Sequence, residues 1–111
     1  MKKITLTCAH AVVKYLIAQK ILINGKKEPL FPGVFGIFGH GNVACLGQAL
    51  EENQNELPTY RGHHEQNMAL TGIGYARAKR RQQIFVATSS VGPGATNMVT
   101  AAAVAMSNRL P

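Results

Sequence analysis

The sequence predicts an α/β fold, a parallel sheet with flanking helices, and three observations carry that prediction. Short strand-like runs at residues 34–38, 58–61 and 83–88 alternate with longer helical segments, the pattern of parallel strands joined by crossovers. Each run is followed by a turn containing glycine, where open α/β sheets place their ligands. The 111 residues are 46% hydrophobic and 15% charged, enough apolar material for one core and the reverse of a disordered composition.

Along the chain, Thr7 caps a helix through about residue 20, with Ala11, Val12, Tyr15, Leu16 and Ala18 as its apolar face. Ile21-Leu22-Ile23, Asn24-Gly25 and residues 26–31 read as a small hairpin outside the main sheet, because Asn-Gly suits a turn with positive φ. Val34-Phe35-Gly36-Ile37-Phe38 is a strand buried on both faces. The turn Gly39-His40-Gly41-Asn42 leads into a helix through about Glu52, with Glu51, Glu52 and Glu56 poorly placed for its dipole. Residues 58–61 form a second strand, 64–80 a long helix, 83–88 a third strand and 96–108 a last helix. Asn108-Arg109-Leu110-Pro111 reads as the lead into another buried strand, since proline commonly follows a helix. The expectation is one domain, residues 1–111, interrupted within its fold.

Net charge is +7, with no Asp and five Glu, which raises nucleic acid or an acidic membrane as partners. The cations are dispersed, however: Lys2 and Lys3 at the start, Lys26 and Lys27 at a turn, Arg77, Lys79, Arg80 and Arg81 at a helix end. The helix dipole accounts for the last group, so nucleic acid is not the expected partner. Cys8 and Cys45 are too few and too far apart for a disulfide framework or zinc site, which fits reduced thiols and a cytoplasmic location. Met1-Lys2-Lys3 begins like a secretory signal, but Thr5, Thr7, His10 and Lys14 interrupt any apolar stretch after it. No run approaches the ~20 apolar residues of a membrane span.

Glu65 opens the long helix in His63-His64-Glu65-Gln66-Asn67-Met68-Ala69. An acid there is ordinarily a solvated dipole partner, yet Gln66 through Leu70 set this one beside apolar surface. His63-His64-Glu65 is no zinc motif, because His-Glu-x-x-His needs histidine where Met68 stands; no metal site is expected. Gly92-Pro93-Gly94-Ala95-Thr96-Asn97 places amides at a helix start, where anions are attracted. It lacks the Lys-Ser/Thr of a P-loop and is not a dinucleotide fingerprint. His40, between two glycines, is either an exposed loop residue or a group that approaches a ligand.

These three segments, in this order and spacing, resemble the pyrimidine-binding domain of thiamine diphosphate enzymes, the acetolactate synthase-like superfamily. Within it the likeness is strongest to the trihydroxycyclohexanedione hydrolases of inositol catabolism, and it covers nearly the whole chain, hairpin included. The resemblance implies that Glu65 contacts the pyrimidine nitrogen of the cofactor and promotes its imino tautomer. It assigns Glu65 and His40 as catalytic, and Glu65, Gly92, Gly94 and Asn97 as cofactor-binding, the glycines as shaping residues. It implies a parent several times longer, in which a separate domain holds the diphosphate and Mg²⁺, and a homo-oligomer whose site forms between two chains. The implied substrate is a small cyclic 1,2-diketone, opened hydrolytically. The 111 residues alone are then expected to be inactive and to bind neither thiamine diphosphate nor Mg²⁺ tightly. The alternatives are a piece of an acetolactate synthase-like enzyme, or a non-enzymatic interaction module that associates through uncovered sheet surfaces.

Overall fold

A computed structural model describes residues 3–111; the Met1-Lys2 portion of the basic start lies outside them. Helix α1 (Cys8–Ala18) begins at Thr7, whose extended backbone and side-chain oxygen, accepting from the His10 amide, make the expected cap. Its buried stripe differs from the expected one. Val13 is fully buried, and Ala9, Leu16 and Ile17 pack beside it, while Val12 and Tyr15 are 46% and 63% exposed. The helix is apolar on nearly every side, so spacing alone allows two stripes; the core beneath selects the one centred on Val13.

Strands β1 (Lys20–Ile23) and β2 (Lys26–Pro29) form an antiparallel hairpin in its own two-stranded sheet, as expected. Asn24 (φ +50°) and Gly25 (φ +79°) both take the left-handed conformation a tight hairpin turn requires. The hairpin is tied to the main body by Gln83, whose Nε2 donates to the Pro29 carbonyl at 2.8 Å, and by the Ile84 amide donating to the Leu30 carbonyl.

The main sheet is parallel, in the order β4-β3-β5, with β3 (Val34–Gly36) between β4 (Thr59–Arg61) and β5 (Val86–Thr88). Register pairs Val34 with Thr59 and Val86, and Gly36 with Arg61 and Thr88. Alternation then sends neighbours to opposite faces. On one face Val34 joins Val13, Ala49, Leu50 and Leu57 in the core. On the other, Phe35 stacks on Phe85 with Tyr60 beside it, and Tyr75 meets Phe85 edge-on. All three strands are shorter than expected; β3 ends before Ile37 and β5 starts at Val86 rather than at residue 83.

The residues expected as a turn, Gly39 to Asn42, are instead a helix start: α2 (His40–Asn42) follows Gly39 directly. It continues through a π-helical stretch, Val43–Gly47, into α3 (Gln48–Glu52). Apolar periodicity does not distinguish π from α winding, and the sequence carries no signal for it. Helix α4 (Glu65–Ala78) stops two residues short of the expected end, because Arg80 and Arg81 both turn left-handed. The last helix, α6 (Val99–Ser107), starts three residues later than expected, and the expected Gly92–Asn97 turn holds a short helix of its own, α5 (Pro93–Thr96), with a break at Asn97 and Met98 between them. The basic cluster behaves as a helix end: Arg81 donates to the carbonyls of Asn108 and Arg109 at the end of α6. Among the described residues no helix is long and apolar enough to cross a membrane.

Candidate functional site

Glu65 is buried because of where the helix stripe begins. Residues 65, 68, 72 and 76 are the buried positions of α4, spaced so that they share one face. Met68, Gly72 and Ala76 turn that face inward, and Glu65 is its first member, 8% exposed. Gly62 lets the preceding loop close down, since a side chain there would collide with Met68.

The loops after β4 and β5 meet at this carboxyl, and the loop after β3 is joined to the latter. Asn42 Nδ2 donates to the Ser89 carbonyl at 2.9 Å, joining the loop after β3 to the loop after β5. Ser90, in the loop after β5, is wedged between Gly39 and Gly94: a Cβ at Gly39 would lie 3.0 Å from Ser90 Cβ, and one at Gly94 would run into Ser90 Oγ. The same Gly94 Cβ would fall 2.6 Å from Glu65 Oε1. Asn97 Nδ2 donates to Glu65 Oε2 at 3.3 Å. One carboxyl oxygen is therefore held by an amide, and the other packs so closely on the Gly94 backbone that a side chain there would collide with it.

Gly92 has φ +63°, a conformation L side chains rarely adopt, and Pro93 follows it as the first residue of α5. Thr96 Oγ1 donates back to the Gly92 carbonyl at 3.1 Å, holding the turn closed. Thus Glu65, Gly94 and Asn97 come together and Gly92 shapes their loop. His40 stands apart, exposed at the first turn of α2, and its ring makes no hydrogen bond among the described residues. His63 and His64 are exposed, and among the described residues no group of three or more His, Cys, Asp or Glu could hold a metal. Sequence reasoning missed Ser90 and Asn42. Both are small polar residues beside glycine loops, and only position after a strand pointed to them.

A buried, oriented carboxyl of this kind can hold a ring nitrogen by a hydrogen bond. The Glu65 carboxyl is buried and oriented, and the neighbouring glycine lets the loop after β5 pack directly against it. A family model described as "Thiamine pyrophosphate enzyme, N-terminal TPP binding domain" matches residues 28–111. The chain belongs to the thiamine pyrophosphate enzyme family. It is 54% identical over all of its 111 residues to a 3D-(3,5/4)-trihydroxycyclohexane-1,2-dione hydrolase of Geobacillus thermodenitrificans (strain NG80-2). Proteins of the same name from Clostridium tetani (strain Massachusetts / E88) and Bacillus thuringiensis (strain Al Hakam) are 50% and 49% identical over the same length. The chain spans 17% of the length of each of these relatives. The matched residues 28–111 include the loops that follow β3, β4 and β5.

Proposed function

We propose that the chain supplies the pyrimidine side of a thiamine diphosphate-dependent hydrolase site that opens a hydroxylated cyclic 1,2-diketone at a carbon-carbon bond and releases an acid. The observation that carries this reading is the buried Glu65 carboxyl, oriented by Asn97 and packed against Gly94. The relatives' name supports the choice of diketone. When bound, the cofactor supplies a nucleophilic carbon able to cleave a bond beside a carbonyl.

The chain's own residues would bind and orient. Glu65 meets the pyrimidine ring nitrogen through a shared proton, Asn97 fixes the carboxyl plane through Oε2, and Gly92 and Gly94 shape the loop that packs against it. His40, at the exposed rim, exchanges a proton with the substrate. The diphosphate and Mg²⁺ are held by residues other than these, in a homo-oligomer, in the cytoplasm. The 111 residues alone lack tight affinity for cofactor and metal.

In the enzyme that carries this domain, Glu65→Gln should lower kcat at least about a hundredfold, the lower end of what a positioned proton-transfer group contributes. Cofactor should remain bound. Undiminished turnover by that variant removes Glu65 from the chemistry and the reading with it.

A further inference from the structure

No acid follows Glu65 in these 111 residues. Asp is absent and the five acids are Glu28, Glu51, Glu52, Glu56 and Glu65, whereas Arg77, Lys79, Arg80, Arg81 and Arg109 all lie beyond them. Three of these cations, Arg77, Arg80 and Arg81, line one hollow of about 400 Å³ with Asn108 and Leu110, where the ends of α4 and α6 meet. Helix α4 is 14 residues long, so the hollow lies about 20 Å from Glu65, at the opposite end of the helix. Lys79 is engaged elsewhere, its Nζ 5.6 Å from the centre of the Tyr75 ring.

Helix capping does not use up this charge. Both helices close on their own backbone: the Arg81 amide donates to the Ala76 carbonyl at 2.8 Å, and the Leu110 amide to the Ala105 carbonyl at 2.9 Å. Arg80 and Arg109, each at φ +53°, take the left-handed position in these caps that glycine commonly fills. Each helix end carries about half a negative charge, so the two together offset about one of the three guanidinium groups lining the hollow. A surplus of about two positive charges remains. Among the described residues none of the three arginines forms an ion pair, and like charges gathered in one hollow repel. Arg81 is the anchored member, its Nε and Nη2 donating to the Arg109 and Asn108 carbonyls. Arg77 and Arg80 are exposed.

We propose that this hollow binds the phosphate group of a small soluble ligand, held by the guanidinium groups of Arg77 and Arg80 beside the anchored Arg81. A phosphate dianion matches the surplus of about two charges, and the planar fork of arginine pairs its donors with phosphate oxygens two at a time. A carboxylate would leave part of the charge uncompensated. The volume is that of a small-molecule site, and a recess favours a ligand that enters it over a flat membrane surface. No aromatic side chain lines the hollow, so a nucleic-acid base has nothing to stack on there. The site is independent of the thiamine diphosphate reading, which concerns the other end of α4.

The test titrates inorganic phosphate into the ¹⁵N-labelled chain at about pH 8, where it is mostly a dianion, with sodium chloride at matched ionic strength as the control. Saturable shifts are expected at the amides of Arg77, Arg80, Arg81, Asn108 and Leu110, weakening as salt is added; chloride should give none. Arg77→Gln and Arg80→Gln should each weaken binding about 10-fold, the low end for a hydrogen bond to a charged group. Arg81 is left in place because it fastens the end of α6. Should one variant lose its dispersed spectrum, the other carries the same expectation. No saturable shift, shifts that map elsewhere, or undiminished affinity in the folded variants overturns the proposal. So does binding confined to an RNA oligomer or to vesicles containing phosphatidic acid. Glu65→Gln should leave this titration unchanged, so the phosphate and cofactor readings fail separately.

Discussion

Gly94 concentrates the candidate site's demands in one residue. Adding a Cβ there places it 2.6 Å from Glu65 Oε1 and against Ser90 Oγ, and both neighbours are themselves confined. Gly94→Ala should therefore destabilise the chain by about 1–3 kcal/mol, the range for overpacking. Gly74 is the internal comparison: it lies in α4 and a Cβ there meets nothing within 4 Å. Gly74→Ala should stabilise by about 0.5–1 kcal/mol, through helix propensity and a less disordered unfolded chain. Urea unfolding of the two variants checks both signs, and a neutral Gly94→Ala would mean that the loop and carboxyl are not packed as described. The burial of Glu65 was legible beforehand in the apolar neighbours that follow it. Its hold by Asn97 and the wedging of Ser90 were not, since nothing along the sequence measures the distance between two loops.

Between elements, the N-terminus of α1 is fastened to the end of α3 through His10. Its Nε2 lies 2.8 Å from Glu52 Oε2, and its Nδ1 lies 2.7 Å from Thr7 Oγ1. Hydrogen bonds from His10 and then Gln48 hold the Glu52 carboxyl below its ordinary 4.5. A carboxyl lowered in the folded state contributes stability that is fully present above 4.5 and fades as pH falls through the folded value. Stability measured by denaturant should therefore drop more steeply below pH 4.5 in the parent chain than in Glu52→Gln. The difference should be small, because Glu52 is exposed and solvent screens the pair; superimposable profiles would show that the contact contributes nothing. Sequence reading found Glu52 among acids badly placed at a helix end, and the partner that compensates Glu52 lies 42 positions away. The same limit explains α1: its cap was legible from Thr7, but its buried face was not, because the choice between Val12 and Val13 is made by Leu50 and Leu57.

Taken whole, the molecule is a slab of 42 × 42 × 21 Å, with a radius of gyration of 14.5 Å against about 13 Å for a rounded chain of this length. Strand-helix alternation made the parallel sheet and its separate hairpin legible, because those follow from local pattern. The π-helical stretch and the break at Asn97 and Met98 depend on packing that no short window contains. Cohesion is uneven across the slab. Strand β3 is paired on both sides, and its Val34 is buried with Val13, Leu50 and Leu57. Helix α6 buries only Ala101 fully, and its Val99 and Met106 are 62% and 83% exposed. Burying a leucine or valine stabilises by about 1.5–3 kcal/mol, so α6 has far less than β3 to hold it closed. Native-state hydrogen exchange should accordingly show two regimes. Amides of β3 should open only with global unfolding, with a strong dependence on denaturant. Those of α6 should open at lower free energy and respond weakly to denaturant, as expected of a local event. If α6 and β3 exchange with the same free energy and the same denaturant dependence, the slab unfolds as one unit, and Ala101 with its neighbours on α4 holds more than its buried area implies.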